Sequence, residues 1–166
     1  MFTMSDKKGV YSLLIELKAE TSIQVGKLGR IRFSSGFYIY TGSAMGNGGS
    51  SLRGRIMRHL SNDKKNFWHI DYFLSSKFSK VLGVVFAETV ESREHDVVNM
   101  LKENAEVICR KFGASDCERS CVSHLLYLGQ NTHKNLELIK EAYKKLGLES
   151  ITLIPKDKNK IDTPRD

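Results

Sequence analysis

At 166 residues, 40% hydrophobic and 27% charged, the chain has the make-up of one soluble globular domain around a single core. Three cysteines, an odd number, and no apolar signal region in Met1–Lys8 argue against a disulfide framework and lead to the expectation of a cytoplasmic protein. The longest apolar stretch, Val81–Ala87, is too short to cross a bilayer, while a net charge of +7 and an isoelectric point near 9.3 favour an anionic partner.

Gly9–Leu17 reads as a strand with Val10, Ser12, Leu14 and Glu16 on one face and Tyr11, Leu13, Ile15 and Leu17 on the other, buried one. Ser22–Val25, the turn Gly26-Lys27-Leu28-Gly29 and Arg30–Phe33 together predict a hairpin. Phe37–Gly42 alternates β-branched and aromatic residues as a strand does. No helix is available before Ser51 to make a crossover, so the sheet is expected to be mixed or antiparallel. Gly46-Asn47-Gly48-Gly49 then makes a corner that takes positive φ cheaply and lets backbone approach a ligand. Beyond it Leu52, Ile56 and Leu60 stand four apart, as in an amphipathic helix, and Arg55 and His59 share a face beside that stripe.

Phe67–Leu74 packs aromatics and two ionisable groups into one short run. On a strand, His69 and Asp71 would point the same way as an orienting pair; the bland alternative is a satisfied core histidine. Val81–Ala87 is the expected central strand, Glu91–Lys102 a helix, Ala105–Cys109 a short extended piece and His124–Leu128 a strand. His133–Leu146 reads as an amphipathic helix and Ile151–Ile154 as an edge strand. Residues 1–154 are expected to form one domain and 155–166 a charged, disordered tail.

Charge is unevenly placed. No Asp or Glu occurs from Thr21 to Leu60, whereas Lys27, Arg30, Arg32, Arg53, Arg55 and Arg58 all fall there. That is the footprint expected for a phosphate backbone, against the plainer reading of chance clustering on a surface. Arg55 suits a donor fork on phosphate, since a guanidinium is planar, always charged and pairs with two oxygens.

Glu94 is the metal candidate. Val97, Val98 and Leu101 follow it by three, four and seven positions, which puts its carboxylate on the apolar face of the expected helix. An unpaired buried carboxylate is costly, and Mg²⁺ with mostly water ligands is one remedy. The competing reading is an exposed first-turn glutamate favoured by the helix dipole, with Glu91 as the alternative ligand. Cys117-x-x-x-Cys121-x-x-His124, with Cys109 as a fourth ligand, invites a zinc reading, but the spacing is not that of a paired zinc knuckle; zinc is disfavoured there. The glycine corner lacks the Lys-Ser/Thr ending of a nucleotide P-loop, which disfavours ATP.

Gly9-Val10-Tyr11, Tyr40-Thr41-Gly42 and Leu52-x-x-Arg55-x-x-Arg58-His59 resemble the signature of the GIY-YIG nuclease superfamily. Tyr38-Ile39-Tyr40-x-Gly42-Ser43-Ala44, Trp68-His69-Ile70-Asp71-Tyr72, Phe112-Gly113-x-Ser115-Asp116-Cys117 and Ser123-His124-Leu125 are similar to a compact subfamily within it. The resemblance implies a small α/β domain whose central sheet is flanked by helices, with the hairpin as an insertion. It also implies a Mg²⁺- or Mn²⁺-dependent endonuclease, with DNA repair as the expected setting. Of Tyr11 and Tyr40, one would help to activate water and the other orient it; Glu94 would hold the metal.

His59, with a reference pKa near 6.5, is a candidate for proton transfer, or alternatively a helix cap or a phosphate contact. His69, Asp71, Asp116 and His124 are supporting candidates. The partner expected is nucleic acid, DNA ahead of RNA, with no membrane contact and with a separate protein for targeting. The rival readings are a nucleic-acid-binding module on the same fold without turnover, and a zinc-stabilised scaffold for another protein.

Overall fold

The computed structural model describes residues 7–62, 65–113, 123–130 and 135–156. The strands are β1 (Gly9–Leu17), β2 (Thr21–Gln24), β3 (Arg30–Phe33), β4 (Gly36–Ala44), β5 (Ser79–Glu88), β6 (Glu106–Val107), β7 (Leu125–Gly129) and β8 (Ile151–Leu153). The helices are α1 (Leu52–Leu60), α2 (His69–Leu74), α3 (Glu94–Leu101) and α4 (Asn135–Lys145). Six strands form one sheet in the order β6-β7-β4-β1-β5-β8, and each neighbouring pair in it is antiparallel. The axis of the sheet is β1, with β5 one place to its side, so the expectation that Val81–Ala87 is central is corrected by one strand. Among the described residues no helix is long and apolar enough to cross a membrane.

Helices on both faces explain why β1 is buried on both. Tyr11, Leu13, Ile15 and Leu17 pack in one cluster with Leu52 and Ile56 of α1 and Ile70 and Phe73 of α2. Val10 and Leu14 pack on the other face with Val97, Val98 and Leu101 of α3 and Ile139 and Tyr143 of α4. Each such side chain contributes about 1.5–3 kcal/mol by leaving water. Ser12 breaks the apolar run of the second face, and its hydroxyl is satisfied by Thr41 Oγ1 at 2.8 Å and Tyr143 Oη at 3.0 Å, as a buried polar group must be.

The hairpin of β2 and β3 is a separate two-stranded sheet. It leaves the main sheet at the end where Leu17 pairs with Gly36, whereas α1 begins beside the other end, where Gly9 pairs with Ala44. Leu17 is six residues beyond Tyr11, roughly 20 Å of strand. The hairpin packs against α2, where Tyr72 lies beside Gly26, so Lys27, Arg30 and Arg32 are carried by the hairpin segment and Arg53, Arg55 and Arg58 by α1. Arg32 is further occupied by Glu20 at 2.9 Å.

Residues 69–74 are a helix, not a strand. Asp71, fully buried, starts it by accepting hydrogen bonds from the Phe67 and Trp68 backbone N–H groups at 2.9 and 2.8 Å. His69 and Asp71, two apart on a helix, diverge, which removes the orienting pair. The helix after β5 starts later than expected, at Glu94, so that residue lies in the first turn. The expected edge strand forms as β8 against β5, and α4 begins at Asn135. Asp116, Cys117, Cys121 and His133 lie outside the described residues, as does the tail from residue 157.

Candidate active site

Tyr11 sits one turn of the pleat into β1 with its ring toward α1. Its register partner on β4 is Gly42, where a Cβ would stand 2.7 Å from the Tyr11 hydroxyl and 2.8 Å from Cζ. Glycine at that position is what leaves room for the phenol. From α1, His59 Nε2 comes to 2.7 Å from the Tyr11 oxygen, and Arg55 acts on the same phenol by charge and by hydrogen bond. The Ser51 hydroxyl caps this helix by accepting from Gly54 N–H at 3.1 Å, which fixes where the two side chains emerge.

A concavity of about 520 Å³ opens over these groups, lined by Tyr11, Tyr40, Arg55, Trp68, Glu94 and His124 among others. Tyr11, Tyr40, Arg55 and Glu94, called from the sequence, thus meet on one wall system although they come from β1, β4, α1 and α3. His59 does not line it: the ring is 2% exposed and lies behind Tyr11. Its direct access to a reacting oxygen, expected from helical spacing, is corrected to contact through the tyrosine. Another concavity, about 580 Å³, is lined by Met57, His59, Leu60, Lys80, Val81 and Leu153 among others and holds neither a tyrosine nor a carboxylate among the described residues.

Burial pushes the Tyr11 phenol well above its ordinary value; the negative charges of an ionised Tyr40 and of Glu94 add to this, and Arg55 opposes it. Tyr40 is also pushed up, first by burial and then by Glu94, again against Arg55. Both are therefore protonated phenols at neutral pH.

Arg55 is aimed by Trp68, with the guanidinium carbon 4.9 Å from the ring centroid; Arg58 stacks on the same ring at 4.8 Å. Arg55 Nε is buried with no hydrogen-bond partner among the described residues, a donor held ready beside the concavity. Arg58, expected to contact nucleic acid, is instead bonded to buried Asp71 at 2.7 Å and to the Lys65 carbonyl at 3.0 Å. Its charge is neutralised inside the fold, so that expectation is corrected. Arg53 is exposed on α1. His69 accepts from Gly113 N–H at 2.9 Å through Nδ1, which ties α2 to the segment before β7, and Gly113 takes φ +67° in doing so.

Glu94 lies in the first turn of α3, half-buried, and joins His95 and His124: one ligand atom from each lies within 4.8 Å of the others. His124 is 4% exposed, and burial lowers its pKa. Its backbone is pinned on both sides, N–H to Phe112 O at 2.8 Å and C=O from Thr41 N–H at 3.1 Å. His95 and Trp68 are the participants that sequence reasoning left without a role. The signal for Trp68 was its place between two arginines' reach; for His95 nothing in the spacing pointed inward.

A family model described as "Domain of unknown function DUF123" matches residues 10–148. No curated protein and no solved structure matches.

Proposed function

The chain belongs to the DUF123 family, a description that carries no activity, and we propose from the site that it is a divalent-metal-dependent phosphodiesterase acting on nucleic acid, DNA ahead of RNA. The observation that carries this reading is the meeting of Tyr11, Tyr40, Arg55 and Glu94 in one concavity from four separate elements. The resemblance of their motifs to those of GIY-YIG nucleases supports it.

Hydrolysis of a phosphodiester needs a donor fork on the non-bridging oxygens, a base for water and compensation of the charge that develops. Arg55 is the fork, stacked on Trp68 and with an unspent Nε–H. With His59 Nε2 unprotonated, the Tyr11 O–H donates to it across 2.7 Å. Passing that proton to the imidazole leaves a phenolate that takes a proton from the attacking water, while Arg55 stabilises the phenolate charge. Tyr40, on the neighbouring strand, orients the water. The new P–O bond forms as the ester P–O bond breaks, and the leaving oxygen takes a proton from solvent. A divalent cation at Glu94, Mg²⁺ or Mn²⁺ on the resemblance, would supply Lewis-acid polarisation of the phosphate and reverse the local negative charge. Phe67, 77% exposed at the rim, offers a face on which an unpaired base stacks.

Supercoiled plasmid and branched duplexes incubated with Mg²⁺ or Mn²⁺ test the reading. Wild type is expected to nick or cut only with the metal, and Glu94→Ala and Arg55→Ala each to lose about 10²–10³ in rate. Cleavage that survives both changes removes the mechanism. Salt-sensitive binding without product under every divalent metal would identify a non-catalytic binding module instead.

A further inference from the structure

We infer that Glu94, His95 and His124 form a single cation site that takes an imidazole-seeking divalent transition ion, Mn²⁺, Co²⁺ or Zn²⁺, in preference to Mg²⁺. This deepens the proposed function and rests on it for what the ion does, though not for whether it binds.

The ligand atoms of the three residues already lie within 4.8 Å of one another. Two ligands about 2.1 Å from one ion stand roughly 3.4 Å apart in a tetrahedral site, so closure asks for about 1 Å of side-chain rotation. His124 supplies the second observation. Among the described residues its Nε2 is buried with no hydrogen-bond partner, a state that costs on the order of 1–3 kcal/mol unless something occupies the nitrogen. Its backbone is held by Phe112 and by Thr41, which fixes where the imidazole leaves the chain. A cation coming to the nitrogen would satisfy it.

The donor set decides the ion. Mg²⁺ is hard, demands oxygen ligands and keeps most of its waters. Two imidazoles and one carboxylate suit borderline ions, and three protein ligands with an open position is the arrangement of catalytic zinc sites. The open side here is the concavity that Glu94 and His124 line together with Tyr11, Tyr40 and Arg55.

The full chain, stripped of metal, is titrated calorimetrically with Co²⁺, Mn²⁺ and Mg²⁺, and the Co²⁺ form is examined for visible d–d bands. Expected are one ion per chain, Co²⁺ bound at least 100-fold tighter than Mg²⁺, and a tenfold to hundredfold loss of Co²⁺ affinity in His124→Gln and in His95→Gln. His95, half-buried on α3, keeps the test open if His124→Gln fails to fold. Equal affinity for Mg²⁺ and Co²⁺, histidine variants that bind Co²⁺ unchanged, or a sulfur-to-cobalt charge-transfer band would each overturn the assignment. Co²⁺ bound as described with no DNA cut under any metal would sink the proposed function alone. Mg²⁺-supported cleavage that needs Glu94 and neither histidine would sink this inference alone.

Discussion

The Tyr11 hydroxyl and His59 Nε2 lie 2.7 Å apart across 48 residues of chain, and both side chains are buried. A phenol and an imidazole joined in this way, with only the phenol reaching the concavity, act as one proton-handling unit. Tyr11→Phe removes the hydroxyl without changing the ring, and His59→Gln removes the acceptor. Each is expected to cost about 1–3 kcal/mol in urea unfolding, the price of a broken buried hydrogen bond. Each should also lower single-turnover cleavage, and the double variant should cleave no more slowly than the worse single one, because residues acting as a unit are not additive. Losses that multiply in the double variant would show that the two act separately.

Gly42 is the structural counterpart of that pair. Since an added Cβ would fall 2.7 Å from the Tyr11 oxygen, Gly42→Ala must push the ring toward α1. Overpacking of this kind costs about 1–3 kcal/mol, read as a lower thermal midpoint, and cleavage should fall with it as the phenol leaves register with Arg55. Gly49 is the control. A Cβ there meets nothing within 4 Å, so Gly49→Ala should melt and cleave as wild type does. An unchanged melt for Gly42→Ala would mean that the ring moves at no cost.

Asp71 holds α2, Arg58 and, through the Arg58 stack, the Trp68 platform of Arg55. Asp71→Asn keeps the shape and removes the charge. Breaking one side of a buried ion pair costs about 3–5 kcal/mol; with Arg58 29% exposed, the expected loss is nearer 2–3 kcal/mol. Arg58→Ala should leave the salt dependence of DNA binding nearly unchanged, while Arg55→Ala should reduce its slope by about one. Filter binding across a salt series measures this. An equal change in slope for both arginines would restore Arg58 as a phosphate contact.

What was legible in the sequence follows from how strongly each element is over-determined. β1, β4 and α1 carry unbroken periodicity, so Tyr11, Tyr40 and Arg55 fell where the alternation and the four-residue spacing put them. Glu94 was legible through Val97, Val98 and Leu101, although it ends up in the first turn, where the apolar face and the exposed turn are not exclusive. α2 was misread because six residues are too few to show a period of 3.6, and because its start is set by a carboxylate within the helix. Arg58 was misread because its partner, Asp71, is distant in local pattern and close only after α2 folds back. His95 had no inward signal at all: adjacent helical residues diverge, and only the position of His124 on another element gives it a role.

Alkaline stability offers a test of burial at the site that needs no substrate. Tyr11, Tyr38, Tyr40 and Tyr143 are all buried, and burial is the largest cause in raising each phenol above 10. In the unfolded chain these groups lose their protons near pH 10, whereas the folded chain keeps them to higher pH. Between those limits the folded state binds more protons, so stability is fully present below pH 10 and falls as pH rises above it. Each phenol then costs about 1.4 kcal/mol per pH unit, roughly 6 kcal/mol for the four together at pH 11, a large part of a typical domain's stability of about 5–15 kcal/mol. Thermal melts are expected to hold to about pH 10 and to drop steeply above it, by roughly pH 11, with tyrosinate absorbance appearing together with unfolding. Tyr143→Phe, which removes the one of the four that lies on the face away from the concavity, should make that decline shallower. Phenols that ionise near pH 10 while the circular dichroism stays native would mean that Tyr11 and Tyr40 stand in water, and the buried hydrogen bond from Tyr11 to His59 on which the proposed proton transfer depends would go with them.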